Sequence, residues 1–298
     1  YKIASDQNHK DAQYQLGKIY YDGKYIARDL EKAVYYFKLS ANQNRIEAYY
    51  MLGLIYAQDD GPLYNIDIAL KYLLFAANQG FDLSILSVGI IYYNKKDIEK
   101  AIHYFELAAN YFAQAQFYLG IIYSSGDYVK VDISKAIHYF ELAADKYHLE
   151  SIKELSKIYF FGINCNRDTK KGIHYLQIAA DGGDCESLYI LGNILLGGQY
   201  IEADTQKAIN CFEISADKKY SASLLELGRI YFEGKYVNKN VNMAINYFKQ
   251  ASDLNNTNAH CILGMIYFVK RDVEKLIHYF KISANQNDAL SRFFLGYI

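Results

Sequence analysis

Four histidines stand at matching positions of a repeated segment, and histidine is the residue best suited to acid–base or metal chemistry near neutral pH. The ten residues KAIHYFELAA occur twice, at residues 100–109 and 135–144. Two related segments carry the other histidines, and the set is His103, His138, His174 and His278. One interpretation is a duplicated active site, and the other is a structural unit copied to build a longer molecule.

The spacing of the histidines argues against shared chemistry. If the repeated segments are packed helices, equivalent atoms lie roughly 10 Å apart, whereas one metal ion needs its ligands within bonding distance. Other copies of the segment place Tyr35, Lys71, Asn210 and Asn246 at the histidine position. A position that accepts such different side chains is predicted to face solvent.

Other catalytic patterns are absent from the sequence. There is no phosphate-binding loop, dinucleotide fingerprint, HExxH, GxSxG or kinase signature. The four cysteines form no CxxC pair and no disulfide framework: Cys165, Cys185, Cys211 and Cys261. We therefore expect reduced thiols in a cytoplasmic protein, no metal or cofactor, and no enzymatic activity in this segment.

Composition excludes two further classes of partner. The chain has 32 Lys and Arg against 33 Asp and Glu, so its formal net charge of -1 predicts no general attraction to nucleic acid. No run of about 18 apolar residues is present, so we predict no membrane insertion. The 52% of hydrophobic residues indicates a folded chain.

A regular spacing of small residues shows which elements carry the repeated segment. A glycine, or once a serine, recurs at intervals of 31 to 36 residues: Gly17, Gly53, Gly89, Gly120, Ser156, Gly192, Gly228, Gly264 and Gly296. A small residue precedes each by five positions, and an aromatic residue usually follows by three. Around Gly17, the apolar residues Ala12, Leu16, Ile19 and Tyr20 form one stripe of a helix.

A second helical stripe follows in each copy, as in Ala33, Val34, Phe37 and Ala41. The turn between the stripes is marked by a glycine that tolerates positive φ, at Gly23, Gly126, Gly162, Gly198 and Gly234. Aspartates are predicted to cap the second helices, as at Asp29, Asp67 and Asp132. In the two short intervals the loop is predicted to shrink while both helices remain.

Each copy therefore reads as helix, turn, helix, with small residues that let the two helices approach closely. Such a unit cannot bury its own apolar faces and must stack on its neighbours. The sequence predicts an all-α solenoid of about eight repeats with a period of about 36, forming one domain over residues 1–298. Partial repeats at both ends indicate a segment of a longer protein.

Residues 12–44 resemble the Sel-one-like repeat, a relative of the tetratricopeptide repeat. The similarity lies in the small residue, the LG and IY pairs, the loop glycine, D-x-x-K-A, and the YF pair. Ser156, Gly172 and Leu276 depart from this pattern. The resemblance implies a right-handed α/α superhelix and work as an adaptor or scaffold for proteins. The alternative is the regulatory region of a multidomain enzyme, for example a protein kinase, whose catalytic domain lies outside this segment.

In tetratricopeptide-like superhelices the first helix of each unit lines the concave groove, which implies where a protein or peptide partner binds. The matching positions lie three residues before the repeat glycine and one and four residues after it, and they vary between copies. The candidate groove residues are Tyr14, Lys18, Tyr21, Tyr50, Leu54, Tyr93, Phe117, Lys153, Lys157, Phe160, Tyr189, Asn193, Arg229, Phe232 and Phe268. The same side chains could instead pack between adjacent first helices, and both interpretations stay open.

Three of the candidate groove residues, Lys153, Lys157 and Arg229, are cationic. They could form a weakly basic centre suited to an acidic peptide tail.

Overall fold

The computed structural model describes residues 1–298, and all of its regular structure is helical. This confirms the predicted all-α class. The eighteen helices are α1 (Lys2–Asp6), α2 (Lys10–Asp22), α3 (Leu30–Ala41), α4 (Ile46–Ala57), α5 (Ile66–Asn78), α6 (Asp82–Asn94), α7 (Ile98–Ala108), α8 (Ala113–Ser125), α9 (Ile133–Ala144), α10 (Leu149–Phe161), α11 (Thr169–Asp181), α12 (Cys185–Gly197), α13 (Thr205–Asp217), α14 (Ser221–Glu233), α15 (Val241–Asp253), α16 (Thr257–Val269), α17 (Val273–Asn285) and α18 (Ala289–Tyr297).

The helices group into two compact units, residues 1–151 (unit 1) and 152–298 (unit 2). In unit 1 the helix pairs are α2 with α3, α4 with α5, α6 with α7, and α8 with α9. In unit 2, α12 pairs with α13, α14 with α15, and α16 with α17. The pair α10 and α11 meets where Ser156 bonds to Gly172. Eight helix-turn-helix repeats are thus confirmed, while the right-handed sense and the single domain stay predictions.

In six of the eight repeats, the repeat glycine of the first helix lies against a buried phenylalanine ring of the second helix. A Cβ added at Gly192 would come within 2.7 Å of the Phe212 ring, and one added at Gly120 within 2.5 Å of the Phe140 ring. Phe212 and Phe140 are fully buried. Since the ring fills the space that a side chain would occupy, glycine is needed because of the ring rather than because of backbone strain.

The aromatic residue three positions after the glycine stacks on a tyrosine of the second helix. Seven such pairs have ring centroids 5.7 to 6.0 Å apart and nearly parallel planes: Tyr20–Tyr36, Tyr56–Tyr72, Tyr92–Tyr104, Tyr123–Tyr139, Tyr159–Tyr175, Tyr231–Tyr247 and Tyr267–Tyr279. Offset stacks of this kind stabilise the pairing of two helices beyond the area that they bury.

Turn and cap chemistry follows the sequence with one exception. The five predicted turn glycines have φ between 62° and 73°, and the Asp29 and Asp132 side chains cap α3 and α9. Asp67, however, was wrongly predicted to cap α5. The Asn65 side chain accepts a hydrogen bond from the Ile68 backbone N–H, so that Asp67 lies inside the first turn. Both residue types cap helices well, and the loop that precedes α5 fixes the choice.

Both short intervals behave as predicted, because length is lost from the loop while the helices remain. Helix α6 ends at Asn94 and α7 begins at Ile98, and α16 ends at Val269 and α17 begins at Val273. None of the eighteen helices has the length and apolar character required to cross a bilayer.

Two glycines of α12 provide a direct test of the contact between glycine and ring. Gly192→Ala should lower the free energy of unfolding by about 1–3 kcal/mol, because Phe212 is enclosed and cannot yield. Gly197→Ala on the same helix meets no atom within 4 Å and should change it by no more than about 1 kcal/mol. Urea unfolding followed by circular dichroism measures both. Equal losses for the two variants would contradict this account of the packing.

His260 in unit 2 is a buried histidine whose titration should affect stability. It is 3% exposed, its Nδ1 lies 2.7 Å from the Ser252 hydroxyl, and its Nε2 has no partner. Burial lowers the pKa of His260 below the ordinary 6.5, and the nearby His278 lowers it further, against an opposing effect of Asp253. The native state therefore favours the neutral ring.

Because the unfolded chain takes up the proton first, stability should fall as the pH drops from 7.5 through 6.5 and below. His260→Gln should reduce that slope by up to about 1.4 kcal/mol per pH unit. Thermal unfolding at pH 7.5, 6.5 and 5.5 measures it, with the exposed His174→Gln as the matched control. His148 also has a pKa lowered by burial, so part of the slope should remain. An unchanged slope in His260→Gln would refute this assignment.

Candidate functional site

The first helices of unit 1 enclose the α4/α6 cleft, with a volume of about 960 Å³. Leu54, Ala57 and Ile90 line it from the first helices, and Leu73 lines it from α5. Leu73 takes the position at which other repeats have the buried phenylalanine, opposite Gly53. The shorter leucine and the small Ala57 leave space between the two first helices.

The α10/α12 cleft of unit 2 has the same origin and a volume of about 500 Å³. Leu176 again replaces the phenylalanine and lines the cleft, together with Lys157, Phe160 and Ile190 of the first helices. Two clefts therefore open where the sequence departs from the phenylalanine of the other repeats.

The departures Ser156 and Gly172 compensate each other in this repeat. The Ser156 hydroxyl donates a 2.9 Å hydrogen bond to the Gly172 carbonyl oxygen. A Cβ at Gly172 would lie 2.7 Å from the backbone nitrogen of Phe160. Helices α10 and α11 thus approach so closely that alanine, found at this position in other repeats, would clash with the backbone.

The α14/α16 cleft of unit 2 has a volume of about 1080 Å³. Phe232 on α14 and Met265 on α16 line it, above the buried Phe248 of α15. Arg229 lies at its edge and pairs with Glu226 at 3.1 Å. Burial raises the pKa of Glu226, and the Arg229 charge opposes that rise.

The predicted residues three positions before the repeat glycine pack between consecutive first helices. Their rings contact the residue that precedes the next first helix. The contacts are Tyr14 with Arg45, Tyr50 with Phe81, Phe117 with His148, and Tyr189 with Tyr220. Burial raises the pKa of Tyr14 and Tyr50, so both hydroxyls stay neutral. These contacts show that the four residues pack between neighbouring repeats. The sequence had left this open as the alternative to partner binding.

Lys153 also lies three residues before the repeat position, which is Ser156 in this repeat. It forms an ion pair instead of the aromatic contact. Its ammonium lies 2.6 Å from the Glu186 carboxylate and 3.8 Å from that of Asp184, which also caps α12. The side chain of Lys153 is only 17% exposed. Its charge is thus largely neutralised inside the protein.

The predicted basic centre does not form one cluster. Lys153 and Lys157 line the α10/α12 cleft, whereas Arg229 lies in the α14/α16 cleft. Lys157 pairs with Glu154 at 2.9 Å, so each of the three cations has a carboxylate partner within the chain. The three cations are therefore divided between two clefts, and they do not form a single basic centre.

The remaining predicted residues divide into two groups. Leu54, Phe160, Arg229 and Phe232 line a cleft. Tyr93, Phe268, Tyr21, Lys18 and Asn193 line none of the three clefts, although all lie on first helices. Tyr93 packs against Tyr128, which lies in the loop between α8 and α9. Phe268 packs against Phe294 of α18.

The sequence reasoning missed several cleft residues on helices, among them Phe161, Ile190, Ile262 and Val269, and the loop residues that complete the edges. Ile190 is 40% exposed and lies two positions before its repeat glycine, one position outside the predicted columns. The exchange of phenylalanine for Leu176 in the preceding repeat, together with an apolar residue next to the predicted column, was the signal in the sequence that could have found it.

The four repeated histidines are all exposed on second helices, as predicted. The four cysteines are free thiols. Among residues 1–298, no three His, Cys, Asp or Glu side chains group so as to hold a metal ion.

Comparison with known families gives a match over most of the chain. The model of the Sel1 (Sel-one-like) repeat matches residues 10–44, 46–81, 113–148, 150–184, 185–220, 221–256 and 259–288. A tetratricopeptide repeat model matches residues 84–114, which include the shortened loop between α6 and α7. The resemblance inferred from the sequence is thereby confirmed.

Solved structures with similar folds include a Sel1 repeat protein from Oxalobacter formigenes, with 25% identity and a TM-score of 0.73 over 89% of this chain and 78% of that one. The protective antigen c5321 of uropathogenic Escherichia coli, which displays an SLR fold, is 23% identical, with a TM-score of 0.49, over 99% and 73% of the two chains. Comparison with curated proteins gives no match.

The ion pair of Lys153 yields a prediction about stability. Lys153→Ala should lower the free energy of unfolding by about 1–2 kcal/mol, because it leaves the mostly buried Asp184 and the half-exposed Glu186 without their cation. The exposed Lys157→Ala, one turn away, is the matched control and should have little effect. Thermal unfolding at low and high salt measures both, and equal effects would show that Lys153 is not structural.

Proposed function

Because this chain belongs to the Sel1 repeat family, we propose that it is a non-catalytic scaffold whose first helices bind protein or peptide partners. Proteins built from such repeats generally serve as interaction scaffolds rather than as enzymes. The proposed binding surface, here called the first-helix face, comprises the three clefts and the variable residues beside them.

One observation carries the proposal: the buried contacts within a helix pair recur in most repeats, whereas the residues that line the clefts do not recur. Each of the three clefts has its own lining, with Ala57 in one, Lys157 in another and Met265 in the third. The contacts that hold the two helices of a pair together repeat, as the seven tyrosine stacks do, whereas the residues that line the clefts differ from one cleft to the next. Cleft linings that differ in this way are what selective recognition of a partner would require.

The clefts also have the physical properties of binding sites for side chains. Apolar residues at their edges are partly exposed, with 37% for Phe232 and 40% for Ile190. Large apolar side chains beside a preformed cavity supply most of the binding energy in protein interfaces. Since helix packing already holds the clefts open, little order is lost on binding.

A peptide library tests the location of binding. Randomised twelve-residue peptides would be selected on the 298-residue chain, and the affinities of the selected peptides would be measured by biolayer interferometry. Phe232→Ala and Ile190→Ala should each weaken the peptides that use their cleft by about 2 kcal/mol, because each removes an apolar anchor.

Two exposed apolar residues of second helices provide the controls. Tyr35 is 58% exposed on α3 and Ile214 is 40% exposed on α13, so Tyr35→Ala and Ile214→Ala remove similar surface outside the first-helix face. Affinities that respond to these controls but not to Phe232 or Ile190 would contradict the proposed function.

A further inference from the structure

Apolar side chains are exposed at the edge of the α14/α16 cleft, as they are at the α10/α12 cleft, where Phe161 is 67% exposed. Val269, the last residue of α16, is 81% exposed, and Phe232 across the cleft is 37% exposed. Ile262 and Met265 continue the apolar lining inward to Phe248. An apolar side chain entering this cleft would therefore touch apolar atoms from its edge to its floor.

Val269 ends α16 at the position that Phe161 takes at the end of α10, and Phe161 is also exposed, at 67%. After α16 only Lys270, Arg271 and Asp272 connect the two helices, and Arg271 takes positive φ to make the turn. Lys270, the first residue of this short connection, lines the cleft beside Val269.

Cations dominate the edge of this cleft. Arg229, Lys239 and Lys270 line it, against the single carboxylate of Glu233. Lys239 lies with its ammonium 5.4 Å from the centre of the Phe232 ring, so charge and apolar surface are adjacent. Arg229 is paired with Glu226, whereas no ion pair engages Lys239 or Lys270. Both lysines are exposed and available to an anionic partner.

The other clefts do not share this charge. In the α10/α12 cleft, Lys153 and Lys157 are both paired with carboxylates. The α4/α6 cleft is lined by one cation and one anion, Lys95 and Asp59, and Lys95 is paired with Asp67. Among the three clefts, a positive edge beside an apolar cavity is therefore particular to α14/α16, in a chain whose net charge is -1.

We propose that the α14/α16 cleft binds an acidic peptide segment in which a large apolar side chain is flanked by aspartate or glutamate. The apolar side chain would enter between Phe232 and Met265, and the flanking carboxylates would meet Lys239 and Lys270. This inference rests on the proposed function of the first-helix face and names the chemistry of one partner. Charge complementarity of this kind guides association and selects among partners.

A peptide fits these observations better than a nucleic acid does. Nucleic-acid sites arrange many cations along a backbone of phosphates, whereas here the cations surround one apolar cavity. A single-stranded oligonucleotide is therefore included in the test as a competing ligand.

The test uses three fluorescent peptide pools with acetylated and amidated ends and one fixed central phenylalanine. Flanking positions carry Asp and Glu in the first pool, Asn and Gln in the second, and Lys and Arg in the third. Fluorescence polarisation with the 298-residue chain should show the acidic pool binding at least about tenfold more tightly than the neutral one, with the basic pool weakest. Raising the salt concentration should reduce that difference.

Charge reversal locates the effect. Lys239→Glu with Lys270→Glu should remove the preference for the acidic pool. The matched control is Lys249→Glu with Lys281→Glu, which reverses two exposed lysines of second helices and makes the same change in net charge. It should alter the affinity for the acidic pool by less than about twofold. Thermal unfolding of both double variants confirms that each is folded.

The outcomes separate this inference from the proposed function. Equal binding of the acidic and neutral pools, both weakened by Phe232→Ala, would overturn the acidic preference alone. Equal loss in the two double variants, or tighter binding of the oligonucleotide than of the acidic pool, would also overturn it. Peptide binding that ignores Phe232→Ala altogether would overturn binding at this cleft, and the Ile190→Ala result would then decide the proposed function.

Discussion

The contact between the repeat glycine and the buried phenylalanine ring is the constraint on which the rest of the structure depends. Because the ring of Phe140 or Phe212 occupies the place of a glycine side chain, it fixes where the first and second helices of the pair meet. The tyrosine stack one turn further along, such as Tyr123 on Tyr139, agrees with that register. The two pairs that carry leucine in place of the ring keep their stacks, Tyr56–Tyr72 and Tyr159–Tyr175, so both contacts support one register.

That constraint also explains where the clefts of two repeats arise. Leu73 and Leu176 are the positions where the ring is missing, and each lines a cleft between first helices. In the second case Ser156 and Gly172 adjust the helix pair, and their hydrogen bond replaces part of the lost contact. A residue that departs from the repeat pattern thus changes the shape of the first-helix face and leaves the core intact. Neighbouring repeats still hold both helices in place.

The sequence predicted the fold well because the fold is periodic, and the glycine–phenylalanine contact, which occurs in six of the eight repeats, leaves a pattern in the chain. It predicted the site less well, because the site consists of differences between copies. Tyr14 and Phe117 vary in the way that partner-binding residues would, yet they pack against the next helix. Lys153 carries a charge, yet its carboxylate partners lie 31 and 33 positions later in the chain. The sequence does not reveal which residues a set of equivalent positions contacts until the spacing between stacked helices is known.

The same contrast explains how a scaffold can change its partner without losing stability. Residues such as Gly192 and Phe212 hold a helix pair together, so a substitution at either position lowers the stability of the fold. Lys239, Val269 and Lys270 are exposed at the edge of a cleft, outside the buried core. Recognition can therefore be altered by changing the residues and the charge at the edge of one repeat, while the glycine and ring contact preserves the helix pair beneath it.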